Sequence, residues 1–146
     1  MRTLFASALL LLSLSGAFAE PISSNRITVM DGDTIKVDLT TSVRLVGFNA
    51  PETLRAQTPI ELTMGEEATA RLEELVRGGD LDLTYVPCAC KPGTEGTLRC
   101  NYGRKCGILK AKGVDVGATL ISEWLAVPYV CGKTKCPKLP NPWRNK

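Results

Sequence analysis

Histidine is missing from all 146 residues, and aromatic side chains make up only 5% of the chain. Without histidine, the mixed Cys/His zinc sites are excluded. The spacings Cys88-x-Cys90 and Cys100-x5-Cys106 do not match the C-x2-4-C pattern of zinc sites. Beyond residue 19 no apolar run is long enough to span a bilayer, which takes about 20 residues. Acidic residues are scarce in the last third. Residues 99–146 hold 2 Asp or Glu against 10 Lys or Arg, whereas residues 20–98 hold 13 against 7. Internal repeats and low-complexity segments are also absent.

The first residues, MRTLFASALLLLSLSGAFAE, put Arg2 before an apolar run that ends in Ala17-Phe18-Ala19. That order predicts a secretory signal peptide over 1–19, with a membrane anchor as the rival reading. The run is short for a spanning helix and is broken by serines, so the mature protein is expected to be secreted or periplasmic, without stable membrane insertion. Export suits the six cysteines, Cys88, Cys90, Cys100, Cys106, Cys131 and Cys136, which all lie in the exported part and are even in number. Six cysteines allow 15 pairings. Nested Cys88–Cys106 and Cys90–Cys100, with a local Cys131–Cys136, suit a hairpin followed by a tail, and the spacing does not choose among the others.

A chain of this length predicts one domain, taken as 20–135, followed by a Pro-rich basic tail over 136–146. Basic surface attracts polyanions. The tail has no aromatic beyond Trp143, so a solvated tail with no specific ligand is an equal reading. NRITVM and TIKVDL flank Asp31-Gly32 and predict a hairpin with that pair in the turn. SVRLVGF predicts a third strand, stopped by Gly47 and Pro51; LDLTYV and KCGILKA predict a fourth and a fifth. Between strands three and four, the Thr63/Glu66 spacing of a capping box predicts the start of a helix. Its buried face would hold Ala68, Leu72, Leu75 and Val76, and Gly78-Gly79 would stop it. A second helix after an Asp115 N-cap would line up Val116, Leu120, Ile121, Trp124 and Leu125. The sum is a mainly β protein with helices, an α+β domain built as a five-stranded OB-fold barrel with helices packed on it.

Asp33 and Glu52 fall at the ends of separate strands, Arg44 lies on a strand between them, and Arg104 sits just before strand five. Carboxylates can hold a hard cation or activate water, and guanidinium forks can stabilise phosphate oxygens, so the four form a candidate phosphoryl-transfer set. Turn residues and ordinary surface ion pairs are the bland alternative for each taken singly.

Taken in order, VMDGDTIKV, VRLVGFNAPET, GEEATARLEELV, YGR and GVDVGATLISEWLA resemble the motifs of the thermonuclease family, the staphylococcal-nuclease-like OB-fold phosphodiesterases, from Ile27 to Tyr129. The resemblance implies hydrolysis of phosphodiester bonds in DNA or RNA by a metal-dependent nuclease, expected as a monomer. It implies Glu52 as general base and Arg44 and Arg104 as the phosphate grip. It also implies Ca²⁺ held by Asp33, by the residue at position 49 and by the carbonyl of Ala50, with Asp31 acting through water. Tyr102 and Tyr129 match nucleotide-pocket tyrosines. The family usually has aspartate where this chain has Asn49. An amide offers oxygen without charge, which weakens calcium binding. The implied consequences are a need for millimolar calcium, a preference for another divalent ion, or retention of the phosphate grip alone. Hence the second function class, a catalytically weak or inactive OB-fold protein of the cell envelope that binds nucleic acid or another polyanion, and a third, a disulfide-stapled envelope protein with no nucleotide ligand. Cys106 is a second departure, and it predicts a disulfide close to Arg104.

Overall fold

In the computed structural model, which describes residues 19–144, alternating apolar residues build a curled main sheet onto which two helices pack. The strands are β1 (Glu20–Ile22), β2 (Ile27–Asp31), β3 (Thr34–Val37), β4 (Thr41–Leu45), β5 (Gly47–Asn49), β6 (Leu81–Val86), β7 (Lys105–Ala111), β8 (Val114–Asp115) and β9 (Val127–Tyr129). The helices are α1 (Pro59–Arg77) and α2 (Val116–Ser122). The main sheet runs β1-β6-β7-β4-β3-β2, with β8 on β7, and β5 pairs with β9 in a separate ribbon. The α+β, OB-like expectation is therefore met, and the five expected strands are β2, β3, β4, β6 and β7. The expected signal peptide over 1–19 lies almost wholly outside the described residues. Among the described residues no helix is long and apolar enough to cross a membrane.

Ile35, Val43, Leu45, Leu72, Leu109 and Leu120 are fully buried and form the centre of the core. The pleat sends alternate residues of β3, β4 and β7 inward, and the 3.6-residue period of α1 sends Ala68, Leu72 and Val76 to meet them. The one parallel pairing fixes the site. β4 runs alongside β7 with Arg44 opposite Cys106, so Arg104, two residues earlier, enters the sheet beside Arg44. The antiparallel β6–β7 pair then runs from Leu81↔Ala111 to Val86↔Cys106. All six cysteines are bonded, Cys88–Cys106, Cys90–Cys100 and Cys131–Cys136, which removes zinc ligation by thiolate.

Three local expectations need correction. The helix starts at Pro59 rather than at Thr63: Thr58 is the N-cap, and its hydroxyl accepts from the Glu61 N–H at 3.1 Å. Thr63 instead donates back to the Pro59 carbonyl at 3.0 Å. Proline at the first helical position loses no hydrogen bond there, so the earlier start is the favourable one. The hairpin turn is Gly32-Asp33, one residue later than expected, because β2 carries a register irregularity between Val29 and Asp31. Finally, α2 ends at Ser122, and Trp124, with φ at +65° and 84% exposure, leaves the buried stripe.

Candidate functional site

The β2–β3 turn is pressed against the loop after β5 by small residues. A Cβ on Gly32 would lie 2.7 Å from the Ala50 Cβ and 2.8 Å from the Ala68 Cβ. One on Gly65 would lie 2.7 Å from the Glu52 carbonyl oxygen. Those distances are below any real carbon contact, so Gly65 and Ala68 of α1 are what allow D-G-D and A-P-E to meet. A glycine in mid-helix costs about 1 kcal/mol relative to alanine. That cost was the available sequence signal for the close approach.

Within this contact Asp33 is nearly enclosed. Its Oδ2 accepts from Arg44 Nη2 at 2.8 Å and from the Ala50 N–H at 2.9 Å, and its Oδ1 accepts from the Thr34 hydroxyl at 3.2 Å. Its own N–H donates to Asp31 Oδ1 at 3.0 Å, an Asx turn that shapes the hairpin. Burial pushes the Asp33 carboxyl up to about 7, with Asp31 adding to the rise; Arg44 and the Ala50 N–H pull against it.

Arg44 fans its donors into the same cluster. Nη1 donates to the carbonyls of Asp33, at 3.3 Å, and Leu45; Nη2 donates to the Phe48 carbonyl at 3.2 Å and to Asn49 Oδ1 at 3.1 Å. Asn49 Nδ2 in turn donates to the Pro140 carbonyl at 3.1 Å. Asp31, Asp33, Arg44, Asn49 and Ala50 are thus one hydrogen-bonded unit.

Arg104 is held differently. Its Nε and Nη2 donate to the backbone carbonyl and side-chain oxygen of Asn101 at 3.1 and 2.8 Å, and its guanidinium lies 5.7 Å from the Tyr102 ring centre. Asn101 Nδ2 faces the Cys88–Cys106 bridge, 3.3 Å from the Cys106 sulfur. The disulfide thus touches the same Asn101 side chain that holds Arg104. Burial first and the Arg44 charge second hold the Arg104 guanidinium below its ordinary value. Among the described residues Arg104 makes no ion pair, whereas Arg44 has Asp33. A half-buried guanidinium crowded by a second one, with donors to spare, has the chemistry to accept an anion.

The other expected residues stand at the margin. The Glu52 side chain is exposed and makes no hydrogen bond among the described residues, Tyr102 is exposed, and the Tyr129 hydroxyl donates to the Pro137 carbonyl at 3.0 Å. A shallow cavity of about 300 Å³ between β5 and α2 includes none of these residues, and its lining is largely apolar. Sequence reasoning missed Asn101 and Pro140.

The residues do not fit a calcium ion as they are arranged. Calcium takes 6–8 oxygens with carboxylates among them. Here Asp33 Oδ2 and Asn49 Oδ1 are both occupied by the same guanidinium, Asp31 is turned to the Asp33 N–H, and no group of three or more acidic side chains gathers among the described residues. A cation bridging those two oxygens would sit against Arg44. Calcium is thus carried by the resemblance alone.

Compared with known proteins, the chain matches no family model, and no curated protein matches it. The thermonuclease likeness rests on its ordered motifs alone.

Proposed function

We propose that the protein is an exported nuclease that takes a phosphodiester of DNA or RNA at the barrel mouth, between Arg104 and Arg44, with Glu52 as general base for the attacking water. The carrying observation is the convergence of the two arginines across the parallel β4–β7 pair, with Arg104 half-buried and without a carboxylate partner among the described residues. Bidentate guanidinium contacts suit the equatorial oxygens of a phosphate as charge builds on them, and a carboxylate reaching solvent from the adjoining loop suits proton removal from water. Three disulfides suit an oxidising compartment, which supports export.

A second reading, nucleic-acid binding without cleavage, is favoured by one observation: the Arg44 donors are already taken by Asp33, Asn49 and three carbonyls. One assay separates the two. Oxidised mature protein is incubated with labelled single-stranded DNA and RNA, in chelator and across a calcium series, beside Glu52→Gln. Cleavage that disappears in Glu52→Gln supports the nuclease, and the chelator arm reports whether a cation takes part. No cleavage under any condition, with binding that depends on Arg104, makes the protein a binding domain.

A further inference from the structure

The segment after Cys136 docks through Pro140, Asn141 and Trp143, while Pro137, Lys138 and Leu139 are exposed. Trp143 is only 4% exposed, and its carbonyl accepts from the Thr58 hydroxyl at 3.4 Å. Asn141 Nδ2 donates to Oε1 of Glu61, a carboxylate 1% exposed whose Oε2 accepts from the Gln57 N–H at 2.7 Å. The Pro137 carbonyl is tied to Tyr129 and the Pro140 carbonyl to Asn49. The chain thus passes from the Cys131–Cys136 bridge over the candidate site at Asn49 and on to the start of α1.

Asn49 stands at the junction, and its partners dictate its chemistry. A guanidinium can only donate and a proline carbonyl can only accept. Both are satisfied at once only by a side chain with an oxygen at one end and an N–H at the other. Aspartate would keep or strengthen the bond to Arg44 while turning a second oxygen on the Pro140 carbonyl, losing one hydrogen bond and adding repulsion.

We propose that Asn49 is a positioning residue that couples Arg44 to the docked C-terminal segment, so that the placement of the guanidinium depends on the tail lying on the barrel. The amide at this position is then retained for a contact that the carboxylate cannot make. This coupling rests on the phosphate-grip reading of Arg44, while the docking contact itself does not.

The test uses the full chain in a Trp124→Phe background, so that Trp143 is the only tryptophan. Asn49→Asp should shift Trp143 emission to the red and raise the rate of tryptic cleavage after Lys138 by about tenfold, the equivalent of one lost hydrogen bond. Asn49→Ser, neutral and too short to span both partners, should do the same, and it carries the test if the aspartate variant does not fold. Unchanged emission and cleavage in both variants would overturn the latch. Coupling is read separately from the affinity for a single-stranded oligonucleotide. Trp143→Ala, whose site lies against Thr58, should weaken binding several-fold with Asn49 present and have no further effect with Asn49→Ser. Equal weakening in both backgrounds would overturn the coupling. If the unmodified protein binds no oligonucleotide, the proposed function fails, and emission and cleavage still decide whether Asn49 holds the tail.

Discussion

Two arginines face the same mouth and are held by opposite means. Arg44 grows from the centre of the sheet, is almost enclosed, and spends its donors on Asp33, Asn49 and three backbone carbonyls. Arg104 enters from the cysteine-rich loop, is half-buried, and rests on one asparagine that a disulfide touches. The first is a product of barrel packing, where small residues bring two loops into contact. The second is a product of covalent chemistry in a segment with little core of its own. Position alone brings them together, because β4 and β7 are parallel neighbours. If the two arginines form the proposed grip, one half of it depends on barrel packing and the other on an intact disulfide.

Breaking the first half should have the largest effect. Arg44→Ala leaves Asp33 enclosed with its counter-charge gone, and removing one partner of a buried pair costs about 3–5 kcal/mol. A denaturant titration of the oxidised protein should show this as a lower midpoint with an unchanged slope. Next, replacing Cys88 and Cys106 together by serine opens a bridge spanning 18 residues of sequence and should cost about 2–4 kcal/mol. It should also weaken oligonucleotide binding to about the level of Arg104→Ala, because Asn101 loses its support. If binding survives removal of the bridge, the disulfide does not aim Arg104. Arg104→Ala itself should leave the unfolding midpoint close to that of the unmodified protein. Its oligonucleotide affinity should fall by about tenfold to a hundredfold, the value of charge-assisted hydrogen bonds.

The smallest effect falls outside both halves. Arg71 of α1 donates twice to Glu123 beyond α2, at 2.8 Å each, and these hydrogen bonds hold the Glu123 carboxyl below its ordinary value. A lowered folded value contributes stability above the unfolded value of 4.5 and loses it as pH falls through the folded one. Exposure and screening keep such a pair weak. Glu123→Gln should therefore slightly flatten the acid side of the stability profile and leave binding untouched.

How far the sequence disclosed all this depends on the reach of each contact. β6 and β7 are legible residue for residue, since LDLTYV and KCGILKA are apolar-rich runs bounded by turn residues. The start of α1 was obscured because Thr63 and Glu66 imitate a cap, while the true cap at Thr58 is followed by Glu61, whose burial depends on Asn141, 80 residues away. The overreach of α2 has a local cause: Trp124 fits the helical period but adopts a left-handed backbone that takes it to solvent. In the site, the Asp33, Arg44, Asn49 and Ala50 cluster followed from ordered motifs, and the three disulfides matched the nested pairing. The Asn49–Pro140 contact spans 91 residues and joins a side chain to a proline carbonyl, which leaves no pattern in composition or period.

The salt dependence of oligonucleotide binding tests the central claim most directly. The affinity of the oxidised protein for a single-stranded oligonucleotide, measured from low to moderate salt, is compared with that of Arg104→Ala. A phosphate gripped by Arg104 predicts weaker binding by the variant at every salt concentration and a log–log slope shallower by about one. Identical affinities and slopes would contradict the account, because Arg104 would then touch no phosphate.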